Sequence, residues 1–194
     1  MGRWEPGSRG RLERAAMELF EERGYNGTTV EEIAARAGLT ERTFFRYFSD
    51  KREVLFSGSR QLEEAVTAAI AGAPAGAAPI DAVVDAFEAA AERLEALRDY
   101  AWVRARWGLL VEHAELRERE LIKLAALAAA VAGALRERGV PEPTASLVAE
   151  AGLAIFKVGF ERWVAGAEPR SFAAQVRAAH GALAAIVGAG PSAA

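Results

Sequence analysis

Glu41, Arg42, Phe45 and Arg46 are spaced so that a helix gathers them on one side, with Phe44 and Phe48 left for the other. An outward face bearing cations, an acid and a ring, on a short helix behind a tight turn, suits insertion of one helix into the major groove of DNA. The surrounding stretch, TTVEEIAARAGLTERTFFRYFSDK over residues 28–51, supplies that turn. Arg36, Arg42, Arg46, Lys51 and Arg52 outnumber Glu41 and Asp50 by three, a small positive footprint suited to phosphates. The plain alternative is a hairpin inside a helical bundle. A glycine-opened turn and a brief, polar second helix count against it.

Positioning that face requires helices with defined ends. A first helix is predicted over 8–23, with Leu12, Ala16, Leu19 and Phe20 on one side and Gly24 as the stop. Thr29 and Glu32 match a capping box, so a second helix starts there and buries Val30, Ile33, Ala34 and Ala37. Gly38 can close it, and Thr40 can cap a third helix over 41–48. Asp50 and Glu53 form another cap-like pair, from which a long fourth helix is expected to run to about Ala71. The GAPAGAAP stretch over 72–79 breaks it. Five more helices are expected over 80–99, 102–112, 115–138, 144–164 and 171–187, with Gly139, Pro141 and the 166–169 stretch as punctuation. The fold class is all-α: a helix-turn-helix domain over 1–56 and a helical domain over 57–194. Residues 1–8 read as disordered, with Arg3, Arg9 and Arg11 able to form a basic arm.

Composition narrows the function. Cysteine is absent, which excludes disulfides and thiolate metal sites. His113 and His180 lie far apart and make a poor metal site; His180 falls near the final helix's seam. The longest apolar run, 124–135, is short of the ~20 residues of a membrane span. The first residues, MGRWEPGSRG, lack the apolar core of a signal peptide. A soluble cytoplasmic protein is expected, with no membrane partner. A net charge of −3 argues against indiscriminate nucleic-acid binding. No phosphate-binding glycine motif or nucleophile elbow occurs, so neither enzymatic activity nor a cofactor is expected.

The run from Ala35 through Gly38, Thr43, Tyr47 and Phe48 to Lys51 and Leu55 closely resembles the TetR family of bacterial transcriptional regulators, over roughly residues 10–56. The resemblance implies a DNA-contact set of Thr29, Arg36, Thr40, Glu41, Arg42, Thr43, Phe45, Arg46, Tyr47 and Lys51. Thr29, Tyr47 and Lys51 are expected near backbone phosphates. Arg42 and Arg46 can each pair bidentately with a guanine edge, worth ~1–3 kcal/mol of discrimination per good pair. Thr43 reaches a phosphate or a thymine methyl. Many members have tyrosine where this chain has Phe45. Glu41 either accepts from a cytosine amine or holds Arg42 in place.

The last two helices are apolar around their circumference. Ala145, Gly152, Gly159 and Gly166 recur every seven residues, and Phe172, Val176, Ala179, Leu183 and Ile186 repeat at 4-3-4-3 spacing. Either an intrachain core or a partner helix could cover them. The resemblance implies a homodimer through these two helices. Phe87, Trp102, Arg106, Trp107, Phe156 and Phe160 are the candidate lining for an unidentified, mostly apolar effector, with Arg104, His113 and Trp163 in the same region. Plain core packing is the alternative for each. The implied function is a homodimeric regulator of double-stranded operator DNA, a repressor released when an effector tilts the fourth helix. A ligand-independent or activating regulator is the alternative. A small-molecule carrier or enzyme with a vestigial DNA head lacks any nucleophile–base pair to support it.

Overall fold

The computed structural model describes residues 7–166 and 171–188. Arg3 of the expected basic arm and the 167–169 part of the expected break lie outside the described residues. These residues form nine α-helices and no strand. They are α1 (Ser8–Arg23), α2 (Val30–Arg36), α3 (Glu41–Tyr47), α4 (Ser59–Gly72), α5 (Pro79–Leu97), α6 (Tyr100–Glu112), α7 (Ala114–Glu137), α8 (Thr144–Ala165) and α9 (Phe172–Gly188). A 3-10 turn, Arg52–Phe56, stands between α3 and α4. Among the described residues no helix is long and apolar enough to cross a membrane.

Two compact units divide the chain. The first takes residues up to Gly58 together with Arg104–Glu120; the second takes Ser59–Val103 and the chain from Leu121 onward. In the first, Leu12, Leu19 and Phe20 of α1 share a core with Ile33, Phe44, Val54, Leu110 and Leu116. Residues 104–120, expected from sequence to belong with the C-terminal helices, pack here. Arg106 donates through Nε to the Leu55 carbonyl at 2.7 Å and through Nη2 to Glu120 at 2.9 Å. Arg119 meets Glu53 at 2.7 Å, and the His113 ring lies 5.1 Å from that of Tyr25.

The fourth helix is not continuous, contrary to the sequence reading. Asp50 does cap, its Oδ1 accepting from the Arg52 and Glu53 amides at 2.8 and 3.2 Å. The turn it starts ends at Phe56, however, and α4 begins only at Ser59. Carbonyls that a continuous helix would give to its own amides are taken by guanidinium groups. Arg106 holds the Leu55 oxygen and Arg9 the Ser57 oxygen, each at 2.7 Å. Local caps announce a helix start; its end is set by cations distant in sequence. Arg9 is thereby fixed rather than part of a free arm, with its guanidinium 5.5 Å from the centre of the Phe48 ring.

In the second unit α5, α8 and α9 pack on one another, and α4 packs on α5. A Cβ on Gly152 would lie 2.3 Å from Val83 Cγ1, and one on Gly159 would lie 2.9 Å from the Val176 backbone. The small-residue stripe therefore admits α5 and α9 of the same chain. Phe172, Val176 and Ala179 of the expected seam are buried in that core too, whereas Ile186 is exposed.

Candidate nucleic-acid interface

The reading helix is positioned by its ends. At the start of α2 the Thr29 hydroxyl accepts from the Glu32 amide at 3.2 Å, while Glu32 Oε2 accepts from the Thr29 amide at 2.9 Å and its hydroxyl at 3.1 Å. This is the capping box the sequence predicts. Arg23 steadies Glu32 from α1 at 2.6 Å. At the other end Gly38, at φ +65°, donates to the Ala35 oxygen, and Leu39 donates to that of Ala34. That pair of bonds is a Schellman closure, and it needs a left-handed residue that glycine supplies without strain. Thr40 then caps α3 by accepting from the Thr43 amide at 3.2 Å, with the two hydroxyl oxygens 3.1 Å apart.

The Thr29 amide and hydroxyl, then Arg23, hold the Glu32 carboxyl below its ordinary value. A depressed folded-state pKa contributes stability above the unfolded value and loses it as pH falls through the folded one. The first unit is therefore expected to lose thermal stability below the ordinary glutamate value of 4.5. Glu32→Gln should flatten that loss in circular-dichroism melts across an acid series.

On α3, Phe44 is fully buried, its ring 5.4 Å from that of Phe48 and edge-on to Phe45 at 5.5 Å. Phe45 itself is 54% exposed, which leaves its ring available on the outer face of α3. Glu41, Arg42 and Arg46 are exposed beside it. The Arg42 guanidinium makes no hydrogen bond or ion pair with any described residue, Glu41 included. Arg46 lies over the Tyr47 ring at 4.9 Å and donates to its hydroxyl at 3.1 Å.

Two cations of the expected contact set are engaged within the chain. Arg36 makes a bidentate pair with Glu22 at 2.9 and 2.8 Å and reaches Glu18 at 3.5 Å. Lys51 donates to the Tyr25 and Thr28 carbonyls at 2.8 and 3.0 Å, its ammonium 4.3 Å from the centre of the Tyr25 ring. It thus pins the loop that leads into the Thr29 cap. Burial first, then the charge of Glu115, pushes the Tyr25 phenol far above its ordinary value, so this pivot stays neutral. Sequence reasoning missed the roles of Tyr25 and Glu115 because their partners come from distant parts of the chain.

The residues expected around an effector divide between the two units. Arg106 lies in the first unit, its guanidinium 5.2 Å from the centre of the Phe56 ring, and Trp107 belongs to that unit as well. In the second unit Phe87 stacks on Phe156 at 4.8 Å, Phe160 lies 5.6 Å from Phe172, and Trp102 carries Arg98 on its face at 4.5 Å. Phe156 also lies 5.2 Å from Phe172, so Phe87, Phe156 and Phe160 join one aromatic cluster. His180 is half-buried on α9.

A capped helix-turn-helix that presents two arginines and an unburied ring defines a DNA-binding transcriptional regulator. Residues 13–57 match the family described as "Bacterial regulatory proteins, tetR family", and residues 77–188 match one described as "MftR C-terminal domain". The chain belongs to the TetR family of bacterial transcriptional regulators. It is 42% identical over 87 residues to the HTH-type transcriptional regulator TcmR of Streptomyces glaucescens, across 45% of this chain and 38% of TcmR. Against the HTH-type transcriptional activator FasR of Mycolicibacterium smegmatis it is 44% identical over 46 residues, 24% of this chain and 21% of FasR. The matches thus span less than two-fifths of either relative's length. The Thermus thermophilus FadR repressor, solved with lauroyl-CoA, is 30% identical over 90% of this chain and 92% of its own, with a TM-score of 0.55.

Proposed function

We propose that the chain is a homodimeric cytoplasmic repressor that reads its operator through the outer face of α3 and is released by a largely apolar effector. Residues 1–56 bind DNA, and 57–194 carry dimerisation and effector binding. The observation that supports this most is the uncommitted guanidinium of Arg42 beside the exposed Phe45 ring, on a helix whose start is capped. Arg42 pairs with a guanine edge and Phe45 packs on a thymine methyl or sugar. Arg46 does the same as Arg42 once it swings off Tyr47. Thr29, Thr40, Thr43 and Tyr47 line the phosphates, while Glu41 biases the neighbouring base. Arg36 and Lys51 act by holding α2 and its leading loop in place.

The effector is taken to be an acyl thioester, because the FadR repressor is in complex with one and the second unit offers an aromatic interior of matching character. Its binding must favour the state that does not hold DNA. A second reading, activation instead of repression, is supported by the match to FasR, whose name describes an activator.

The test uses duplexes selected from a randomised pool by the full-length protein. Arg42→Ala is expected to weaken binding to the selected site roughly 5- to 150-fold, the equivalent of 1–3 kcal/mol, and to relax base preference at one position. Lys51→Met should leave the slope of log Kd against log salt unchanged, where loss of a phosphate contact would reduce it by about 1. Full affinity and unaltered preference in Arg42→Ala would refute the reading.

A further inference from the structure

Trp163, near the end of α8, is 3% exposed, and its indole Nε1–H meets no acceptor among the described residues. Its ring cannot turn to find one. It stacks on Phe172 at 5.0 Å and 14°, meets Tyr100 edge-on at 5.2 Å, and lies 6.0 Å from Phe160. The backbone behind it is tied as well, because the Tyr100 hydroxyl is 3.0 Å from the Trp163 oxygen and 2.9 Å from that of Gly166. Phe172, the other half of the stack, is held where α9 begins by Glu95, which accepts from its amide at 2.7 Å.

A buried donor left unmade costs about 1–3 kcal/mol, and a phenylalanine could occupy much of the same aromatic surround without that cost. The indole is therefore a donor aimed at something no described residue supplies. The ring contacts around it are aromatic, and no described cation stacks on it. A carboxylate or phosphate oxygen would lose its hydration among those rings, which low dielectric penalises. A neutral carbonyl on an apolar chain fits.

We propose that Trp163 Nε1 donates to the thioester carbonyl of a fatty-acyl ligand in the second unit, an inference that rests on the effector reading above. The donor fixes where along the chain the carbonyl stops, so it selects an acyl thioester over an alkyl chain of the same length.

The test pairs lauroyl-CoA with S-dodecyl-CoA, a thioether that keeps the chain and the coenzyme but lacks the carbonyl. Full-length protein labelled with 15N at the indole nitrogens is titrated with each, and Trp163→Phe assigns the signal. Lauroyl-CoA is expected to move the Trp163 indole proton downfield. The thioether should bind wild type roughly 3- to 10-fold more weakly, as loss of one neutral hydrogen bond predicts, and both ligands should bind Trp163→Phe alike. The comparison on wild type stands alone should Trp163→Phe fail to fold. If lauroyl-CoA binds but the indole signal stays put and the thioether binds equally well, the donor role is overturned and the effector reading stands. If calorimetry finds no binding of lauroyl-CoA to wild type, both fall.

Discussion

Gly159→Val is expected to lower the melting temperature sharply. Even the first added carbon would sit 2.9 Å from both Cα and N of Val176 and 3.1 Å from its Cγ2. Two of those atoms are backbone of α9, so no rotamer change relieves the clash and α8 must move away from α9. Overpacking of this kind costs about 1–3 kcal/mol, and a chain of this size loses about 2–4 °C per kcal/mol. Gly152→Ala offers a control, because its added carbon meets a side-chain methyl, Val83 Cγ1, at 2.3 Å. Val83→Ala should rescue Gly152→Ala, and no substitution at Val176 should rescue Gly159→Val. Gly108→Ala in α6, with nothing within 4 Å, should melt no lower than wild type. Differential scanning calorimetry on these variants beside wild type decides the matter. A Gly159→Val protein as stable as wild type would mean that α8 and α9 do not approach as described.

The contrast between Thr29 and Gly159 separates what a sequence can tell from what it cannot. The capping box at Thr29, the closure at Gly38 and the cap at Thr40 involve residues within a few positions of one another. Their chemistry is legible in order along the chain, and they place α2 and α3 correctly. The glycine stripe was equally visible, but periodicity says only that a face is small, not which helix meets it. An intrachain core and a partner helix both fit that face, and the resemblance implies a homodimer through the last two helices; at Gly152 and Gly159 it is Val83 and Val176 of the same chain that stand against it. The fourth helix failed for the same reason, because Arg9 and Arg106 take its carbonyls from far away. Around the candidate interface, the outward set on α3 was readable from spacing. The commitment of Lys51 to two carbonyls is not, since Tyr25 lies 26 residues away in sequence and Thr28 lies 23 away.

With the stripe occupied, another face must carry any dimer, and its disruption is expected to have the largest effect on DNA binding. Leu147 and Val158 on α8 are 66% and 46% exposed, with exposed Ala154 between them. Along α9, Ala174, Ala178, Gly181 and Ala185 are all exposed and share one side at 4-3-4 spacing. An apolar strip beside a strip small enough for close approach suits an isologous four-helix contact. On the proposed reading, Val158→Arg with Gly181→Arg buries like charges against each other across the two-fold axis. The double variant should sediment as a folded monomer where wild type sediments as a dimer. Its affinity for a selected operator should fall roughly 10²- to 10⁴-fold, because tethering two heads supplies that much through effective concentration alone. Arg42→Ala should instead remain dimeric, so the two losses have separable causes. A double variant that still sediments as a dimer would place the interface elsewhere, and a wild type that is monomeric while binding operator tightly would remove the need for one.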